Sequence, residues 1–477
     1  MSERNQPSPD KHPAHSADKN QPPAEPIELY RKREKIYPRA VTGIFARLRV
    51  LGVLALLGLF YGLPLLRWDG RQAVLLDLPE RKFHIFGLTF WPQDFFFLAV
   101  LLIIAALSLF FFTALAGRLW CGYACPQTVW TEVFLWIERH IEGSRSQQMK
   151  LDKGQWSARK WRLKITKHAV WLAFSLYTGF TFVGYFTPLD ELWDKLISFS
   201  LGPWELFWIV FYGFATYGNA GWMREQVCLY MCPYARFQSA MFDSNTLIIS
   251  YDETRGEPRG ARKRGSDPKS LGLGDCVNCT LCVQVCPTGI DIRNGLQYEC
   301  IGCAACIDVC DEVMEKVGYP KGLIKYTTQN ALDGAGTHIL RPRTIIYAGL
   351  LLALCAGLIF AISQRVPLEL DIIRDRNALY RTTDRGLTEN VYLLKLVNME
   401  DHAREYRITI DGLEQAELVA PESITLPAGE VFDQVVSVRI DPAFLKTPSS
   451  EIRFHINALD SDISRTENAR FLGPVSR

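Results

Sequence analysis

Five long apolar runs interrupt an otherwise mixed chain: Val50 to Leu66, Phe95 to Ala116, Ala169 to Phe186, Leu206 to Met223 and Thr344 to Ile362. Phe95 to Ala116 carries no charge and exceeds the ~20 residues that cross a ~30 Å hydrocarbon core. The other four are shorter or diluted by glycine and aromatic residues, with Trp and Tyr near their ends as membrane interfaces favour. All five are expected to be transmembrane helices. After Ile362 the period changes to short alternating segments, Leu368 to Ile373, Val391 to Val397, Tyr406 to Ile410, Val435 to Ile440 and Ile452 to Leu459, parted by turn signals such as Asp411-Gly412. That spacing predicts an antiparallel, immunoglobulin-like β-sandwich of about 110 residues.

The fold class expected is therefore a multi-domain membrane protein. Residues 1–35, rich in Pro, His, Asp and Lys, are expected to form a disordered tail rather than a secretory signal, with His12 and His15 solvated. A membrane domain at 36–242 holds four spans, a cysteine-rich unit fills 243–340, a fifth span lies at 341–364, and the sandwich occupies 365–477. The strand-like segments Leu247 to Ser250 and Leu323 to Thr327 bracket the cysteine-rich unit and are expected to pair.

Basic residues fix the orientation, because Lys and Arg are retained on the cytoplasmic side. They crowd the first flank (Arg39, Arg47, Arg49), the loop after the second run (Arg118, then Arg139 to Lys167) and Arg259 to Lys269, whereas Lys195 faces three acids in the short loop after the third. The N-terminus and the cysteine-rich unit are expected in the cytoplasm, and the sandwich in the periplasm of a bacterial inner membrane. The loop Arg67 to Asp94, with four basic residues, fits this least well. A chain of 477 residues that is 48% hydrophobic and 12% aromatic, with net charge +2, suits a lipid bilayer and gives no sign of nucleic-acid binding.

Two cysteine runs carry the chemistry: Cys276-x2-Cys279-x2-Cys282-x3-Cys286-Pro287 and Cys300-x2-Cys303-x2-Cys306-x3-Cys310. This is the ligand spacing of a bacterial two-cluster ferredoxin, in which the fourth cysteine of each run reaches the other run's [4Fe–4S] cube. Cys276, Cys279, Cys282 and Cys310 would hold one cluster, and Cys286, Cys300, Cys303 and Cys306 the other. Asp311 stands where a proline often follows the second run. Eight cysteines in two near-identical copies exceed the needs of one tetrahedral zinc.

A second repeat, C-x-Y-x-C-P, occurs at Cys121 to Pro126 and Cys228 to Pro233, where the second and fourth runs end. If the spans continue, each pair of thiols lies one turn apart on a helical face, before proline redirects the chain. Behind the first copy Trp130, Val133, Phe134, Ile137 and Ile141 recur at helical spacing, as in a helix lying along the interface. Cys121, Cys125, Cys228 and Cys232 would together suit copper(I) or another soft metal. A redox relay or an additional cluster would use the same thiols, and two copies of one six-residue pattern favour such a role over plain packing at helix ends. Cys355, alone in the fifth run, is expected to pack.

The combination resembles the cytochrome c oxidase accessory proteins of the CcoG, FixG and RdxA type. The residues that carry it are Tyr37-Pro38-Arg39, Trp120 to Trp130, Cys228 to Gln238, Gly256 to Gly260 and both cluster runs, so the resemblance covers nearly everything after the tail. It implies an inner-membrane protein that reduces copper(II) to copper(I) during assembly of a cbb3-type cytochrome oxidase, with that oxidase or its assembly factors as partners, a cytoplasmic electron donor of unknown identity, and Cys121, Cys125, Cys228 and Cys232 as the copper site. Two other classes compete. A quinol-linked carrier would need a polar residue within the bundle, where His168 is the only nearby histidine, and the chain has no C-x-x-C-H haem motif to carry electrons outward. A non-redox assembly scaffold would use the clusters structurally and the sandwich as its grip.

Overall fold

The first long helix, Ile44–Gly62, begins where the sequence turns continuously apolar, and its exposed N-terminal amides meet a carboxylate from far along the chain: Asp308 accepts from the Phe45 and Ala46 amides at 3.2 and 2.7 Å. In this computed structural model, which describes residues 35–263, 267–400 and 402–474, a bundle of helices separates two folded ends. The expected tail, with His12 and His15, lies outside the described residues.

Among the described residues three helices are long and apolar enough to cross a membrane: Ile44–Leu65, Pro92–Ala116 and Pro342–Ser363. The other two expected spans take different forms. The third belongs to the 26-residue helix Ala158–Val183, whose first half carries Lys160, Lys164 and Lys167. The fourth is α-helical only over Pro203–Thr216, then widens into π-helical turns at Tyr217–Met223 and Val227–Met231. π-Turns inside helices are rare and gather at functional sites.

The cysteine-rich unit is closed by the antiparallel pair Ile248–Tyr251 and Ile324–Thr327, with Ile248 opposite Thr327 and Tyr251 opposite Ile324. Ile249, Tyr251, Ile292, Ile307, Met314 and Ile324 form its apolar core together with Cys276 and Cys282. At the opposite end of the bundle the C-terminal domain is a two-sheet sandwich. One sheet orders Glu417–Val419, Val431–Ile440, Thr388–Asn398 and Leu368–Arg374; the other orders Ile424–Leu426, Arg404–Asp411, Ser449–Ala458 and Ser464–Leu472. Thr388–Asn398 alternates buried and half-buried positions until its last residues. Its inward Tyr392, Leu394 and Leu396 meet Tyr406, Phe454 and Ile456 of the facing sheet.

The loop Arg67 to Asp94 proves structured, with a three-stranded meander of Val74–Asp77, Lys82–Ile85 and Leu88–Phe90. It belongs to the sandwich end: Arg365 binds Asp94 at 2.5 Å and donates to the Thr89 carbonyl, and Trp91 packs on Val397 and Met399. Three of its four basic residues have partners there: Asp190 for Arg67, the Thr89 hydroxyl for Arg71 and Glu80 for Lys82.

Candidate functional site

The cysteine runs fold as two copies of one backbone path. Asn278 and Thr280 in the first, and Gly302 and Ala304 in the second, all have left-handed φ between 54° and 70°. L-residues rarely adopt that conformation unless their surroundings impose it, and reversals of this kind turn amides inward to form concavities that favour anionic groups. Cys276, Cys279, Cys282 and Cys310 line one cavity, with Tyr251, Arg293 and Met314 among its other walls. Cys286, Cys300, Cys303 and Cys306 line a second, bordered also by Cys282 and by Ile249, Ile292 and Ile301. Each cavity thus receives the fourth cysteine of the other run.

Burial pushes the Cys282 and Cys300 thiols up to about 11 and those of Cys303 and Cys310 up to about 12. Such thiols stay neutral unless a metal supplies opposing charge, so the donor set fits iron. Among the described residues no three His, Cys, Asp or Glu side chains converge as ligands of a single ion. Thiols spread around a cavity suit a cube-shaped cluster better than one zinc. All thirteen cysteines are free, which removes disulfides as an account of the repeats. Asp311 caps a loop instead of redirecting the chain, accepting from the Gly322 amide at 2.8 Å.

The two C-x-Y-x-C-P copies do come together, by another route than continued helices. The helix Phe95–Ala116 stops at Gly117, which has φ 55°. Cys121 then lies in the short helix Leu119–Tyr123, and Cys125 directly precedes the helix Pro126–Glu142. In the second copy Cys228 lies in a π-turn and Cys232 directly precedes Pro233–Met241. In both copies the proline therefore starts a new helix, as its missing amide hydrogen permits. Cys121 donates to Gln238 Oε1 at 3.3 Å, and Gln238 in turn contacts Thr113. Burial first, then the neighbouring Cys125, raises the Cys121 thiol to about 12; burial and the neighbouring Cys125 and Cys232 raise Cys228 to about 11. These mutual influences make one group of the four thiols, although they do not converge tightly enough to grip one ion.

This thiol group sits against the second cysteine run. A Cβ on Gly122 would fall 2.7 Å from the Gly302 carbonyl oxygen and 3.0 Å from the Cys303 Cα. Arg118, almost fully buried, donates to the Tyr298 carbonyl, to the Cys300 carbonyl at 3.0 Å, and to Ala235 and Ser239 of the helix behind Cys232 at 2.6 and 2.7 Å. Arg49 donates to the Cys303 carbonyl, and Tyr326 to that of Gly302 at 2.6 Å. One face of the second run is thereby fixed to the first helix and to both thiol motifs.

Several of these residues carried no sequence signal beyond positive charge. Arg118 and Arg49 looked like orienting charges, as did Lys164 and Lys167, which bind the buried Glu142 at 2.8 and 2.9 Å. Arg224, just before the second motif, binds Glu138 at 2.8 Å and so ties that motif to the helix behind Cys125. His168 bonds the Tyr217 hydroxyl at 2.8 Å. In the basic loop, Arg255 and Arg262 serve internal contacts to Asp275 and the Gly274 carbonyl, while residues 264–266 lie outside the described set.

Comparison with known proteins gives three family matches: a 4Fe–4S dicluster domain over residues 223–329, a 4Fe–4S binding domain over 98–144, and the Ig-like fold at the C-terminus of FixG over 358–474. The chain is 41% identical over 425 residues to the nitrogen fixation protein FixG of Rhizobium meliloti, covering 81% of each chain. It is 41% identical over 439 residues to protein RdxB of Cereibacter sphaeroides, covering 87% of this chain and 91% of that one. A crystal structure of a FixG-related protein from Vibrio parahaemolyticus matches at 28% identity, covering 22% of this chain and 95% of that one, with a TM-score of 0.21.

Proposed function

The chain belongs to the FixG family of iron–sulfur electron-transfer proteins, and from that premise we propose that it reduces copper(II) to copper(I) at a membrane face for assembly of a cbb3-type cytochrome oxidase. Cys276, Cys279, Cys282 and Cys310 hold one [4Fe–4S] cluster, and Cys286, Cys300, Cys303 and Cys306 the other. The clusters, when bound, supply one-electron storage. Copper is the substrate and meets Cys121, Cys125, Cys228 and Cys232.

The observation that supports this reading best is the approach of Gly122 to Gly302 and Cys303. It leaves no layer of side chain between the thiol motif and the backbone of the second run. Soft thiolates prefer copper(I), so these four residues also favour the reduced product. Among the described residues the four thiols do not converge on one point, which suits copper met in passing better than copper stored. Five membrane crossings, with the cysteine-rich unit in the cytoplasm and the sandwich in the periplasm, are part of the proposal. The opposite placement of those two ends along the bundle is consistent with it.

The test is anaerobic: the purified protein is reduced, copper(II) is added, and copper(I) is trapped by a chelator while cluster absorbance is followed. Copper(I) in proportion to the electrons stored, lost when Cys121, Cys125, Cys228 and Cys232 are changed to Ser with both clusters intact, is the expected result. Unchanged copper(I) in that variant removes the thiols from the reaction, and reduced clusters that ignore copper(II) in the wild type end the copper reading.

A further inference from the structure

A cavity of about 460 Å³ beside the second cysteine run is not needed to hold either cluster. Its walls come from four places: residues 38–41, the first helix, the helix Pro126–Glu142 that follows Cys125, and the cysteine-rich unit, which contributes Val285, Pro287, Cys303 and Ala305. The lining is mixed. Val50, Val53, Leu54 and Leu57 present an apolar strip at helical spacing, about 10 Å long at the rise of an α-helix. The strip begins beside Arg49, which donates to the Cys303 carbonyl, and Arg39, Glu132 and Arg139 add polar groups to the lining. Glu132 and Arg139 are 3.9 Å apart and both partly exposed.

From this lining we propose that the cavity binds an isoprenoid quinol, with the ring among the polar groups and the tail along the first helix. The proposal rests on the preceding functional reading and names the class of its electron donor. Three features select a quinol. A hydrophilic dinucleotide would leave its phosphates against the Val53 to Leu57 strip. A phospholipid phosphate would meet the Glu132 carboxylate, with Arg139 facing that carboxylate and Arg49 engaged with the Cys303 carbonyl, which leaves Arg39 as the other cation of the lining. A quinol offers two hydroxyl donors to Glu132, its quinone offers carbonyl acceptors to Arg139, and its tail is as apolar as the strip. In the reaction the quinol loses both O–H hydrogens and becomes the quinone. One proton goes to Glu132 and the other to water at the mouth, and the two electrons are taken singly by two oxidised [4Fe–4S] clusters, leaving each reduced by one.

The experiment uses the full-length cluster-loaded protein in phosphatidylcholine nanodiscs and a short-tailed azido-ubiquinone photolabel. Expected is label on peptides from Ile44–Gly62 or Pro126–Glu142, displaced by excess decylubiquinone and not by phosphatidylglycerol. Val53→Trp, which fills the strip, should lower labelling about tenfold, and should slow cluster reduction by decylubiquinol by about the same factor with dithionite reduction unchanged. Glu132→Gln guards against a folding defect in that variant: it should keep the label and slow quinol oxidation. Label confined to other segments, displacement by phosphatidylglycerol, or wild-type quinol rates in both variants would overturn the proposal. Copper(I) release from dithionite-reduced protein is measured in parallel. Its absence would end the copper reading without touching the quinol site, and its presence without saturable labelling would end the quinol site alone.

Discussion

Gly122 and Gly302 meet backbone to backbone: a methyl group on the first would lie 2.7 Å from the carbonyl oxygen of the second, and one on Gly302, which has φ 70°, would lie 2.9 Å from the Arg118 carbonyl oxygen. Neither neighbour is a flexible side chain that could swing aside. Gly122→Ala must therefore part the thiol motif from the second run, at about 1–3 kcal/mol for a forced backbone shift. The expected outcome is a protein that keeps both clusters by iron content but yields copper(I) more slowly from the reduced state, measured in the chelator assay. An unchanged rate would show that the contact is structural only.

The shared cavities make a distinguishable prediction for the fourth cysteines. Cys310 lies in the second run but lines the cavity of the first, and Cys286 does the reverse. Cys310→Ser should disturb the cluster held with Cys276, Cys279 and Cys282 and spare the other, leaving about four of eight irons in each protein if the site empties. Cys300→Ser should match Cys286→Ser in its electron paramagnetic resonance spectrum rather than Cys310→Ser. The opposite grouping would assign each run its own cluster.

The grouping of the cysteines about two cavities, the sandwich and the paired strands around the cysteine-rich unit were legible because each rests on local spacing: regular gaps between thiols, period-two alternation, and turn residues. The union of Cys121 and Cys125 with Cys228 and Cys232 was legible only as a repeat. Continued helices were the expected geometry, whereas Gly117 and the π-turns at 217–223 and 227–231 break both spans before the cysteines. Helical periodicity does not reveal a π-turn, because one extra residue per turn leaves composition unchanged. The role of Arg118 was equally hidden. Its partners lie 117 to 182 residues away, and a single arginine near a membrane end has the same signature whether it faces lipid headgroups or is buried on carbonyls.

Asp308 stands between Cys306 and Cys310, yet its carboxylate closes the N-terminus of the first membrane helix, and a Cβ on Gly43 would collide with it. The side chain thus caps two amides that the helix itself leaves without partners. Asp308→Ala should cost about 1–2 kcal/mol, the usual loss of an N-cap. Limited proteolysis in detergent should then cut the segment before Ile44 sooner, while iron content is retained. Loss of iron instead would mean that Asp308 supports the cluster fold more than the helix.

A last link joins the cysteine-rich unit to the final membrane helix. Asp243 pairs with Arg341, the residue before Pro342–Ser363, and also accepts from the Asn245 amide at 2.9 Å; Arg343 approaches it at 3.7 Å. Burial alone would raise the Asp243 carboxyl, but the Asn245 amide and the Arg341 guanidinium outweigh it and hold the group below its ordinary range. The sign follows from linkage: a carboxyl depressed in the folded state contributes its full stabilisation above the unfolded value of about 4 and loses it as pH falls through the lower folded value. Asp243→Asn should therefore lower thermal stability at pH 7 by about 1 kcal/mol, modest because the pair is partly screened by water. The difference from wild type should shrink as the pH is taken below 4, where the wild-type carboxyl also loses its charge. Melting curves of both proteins in detergent across that range decide it, and a gap that stays constant with pH would mean that the asparagine acts through packing and not through lost charge.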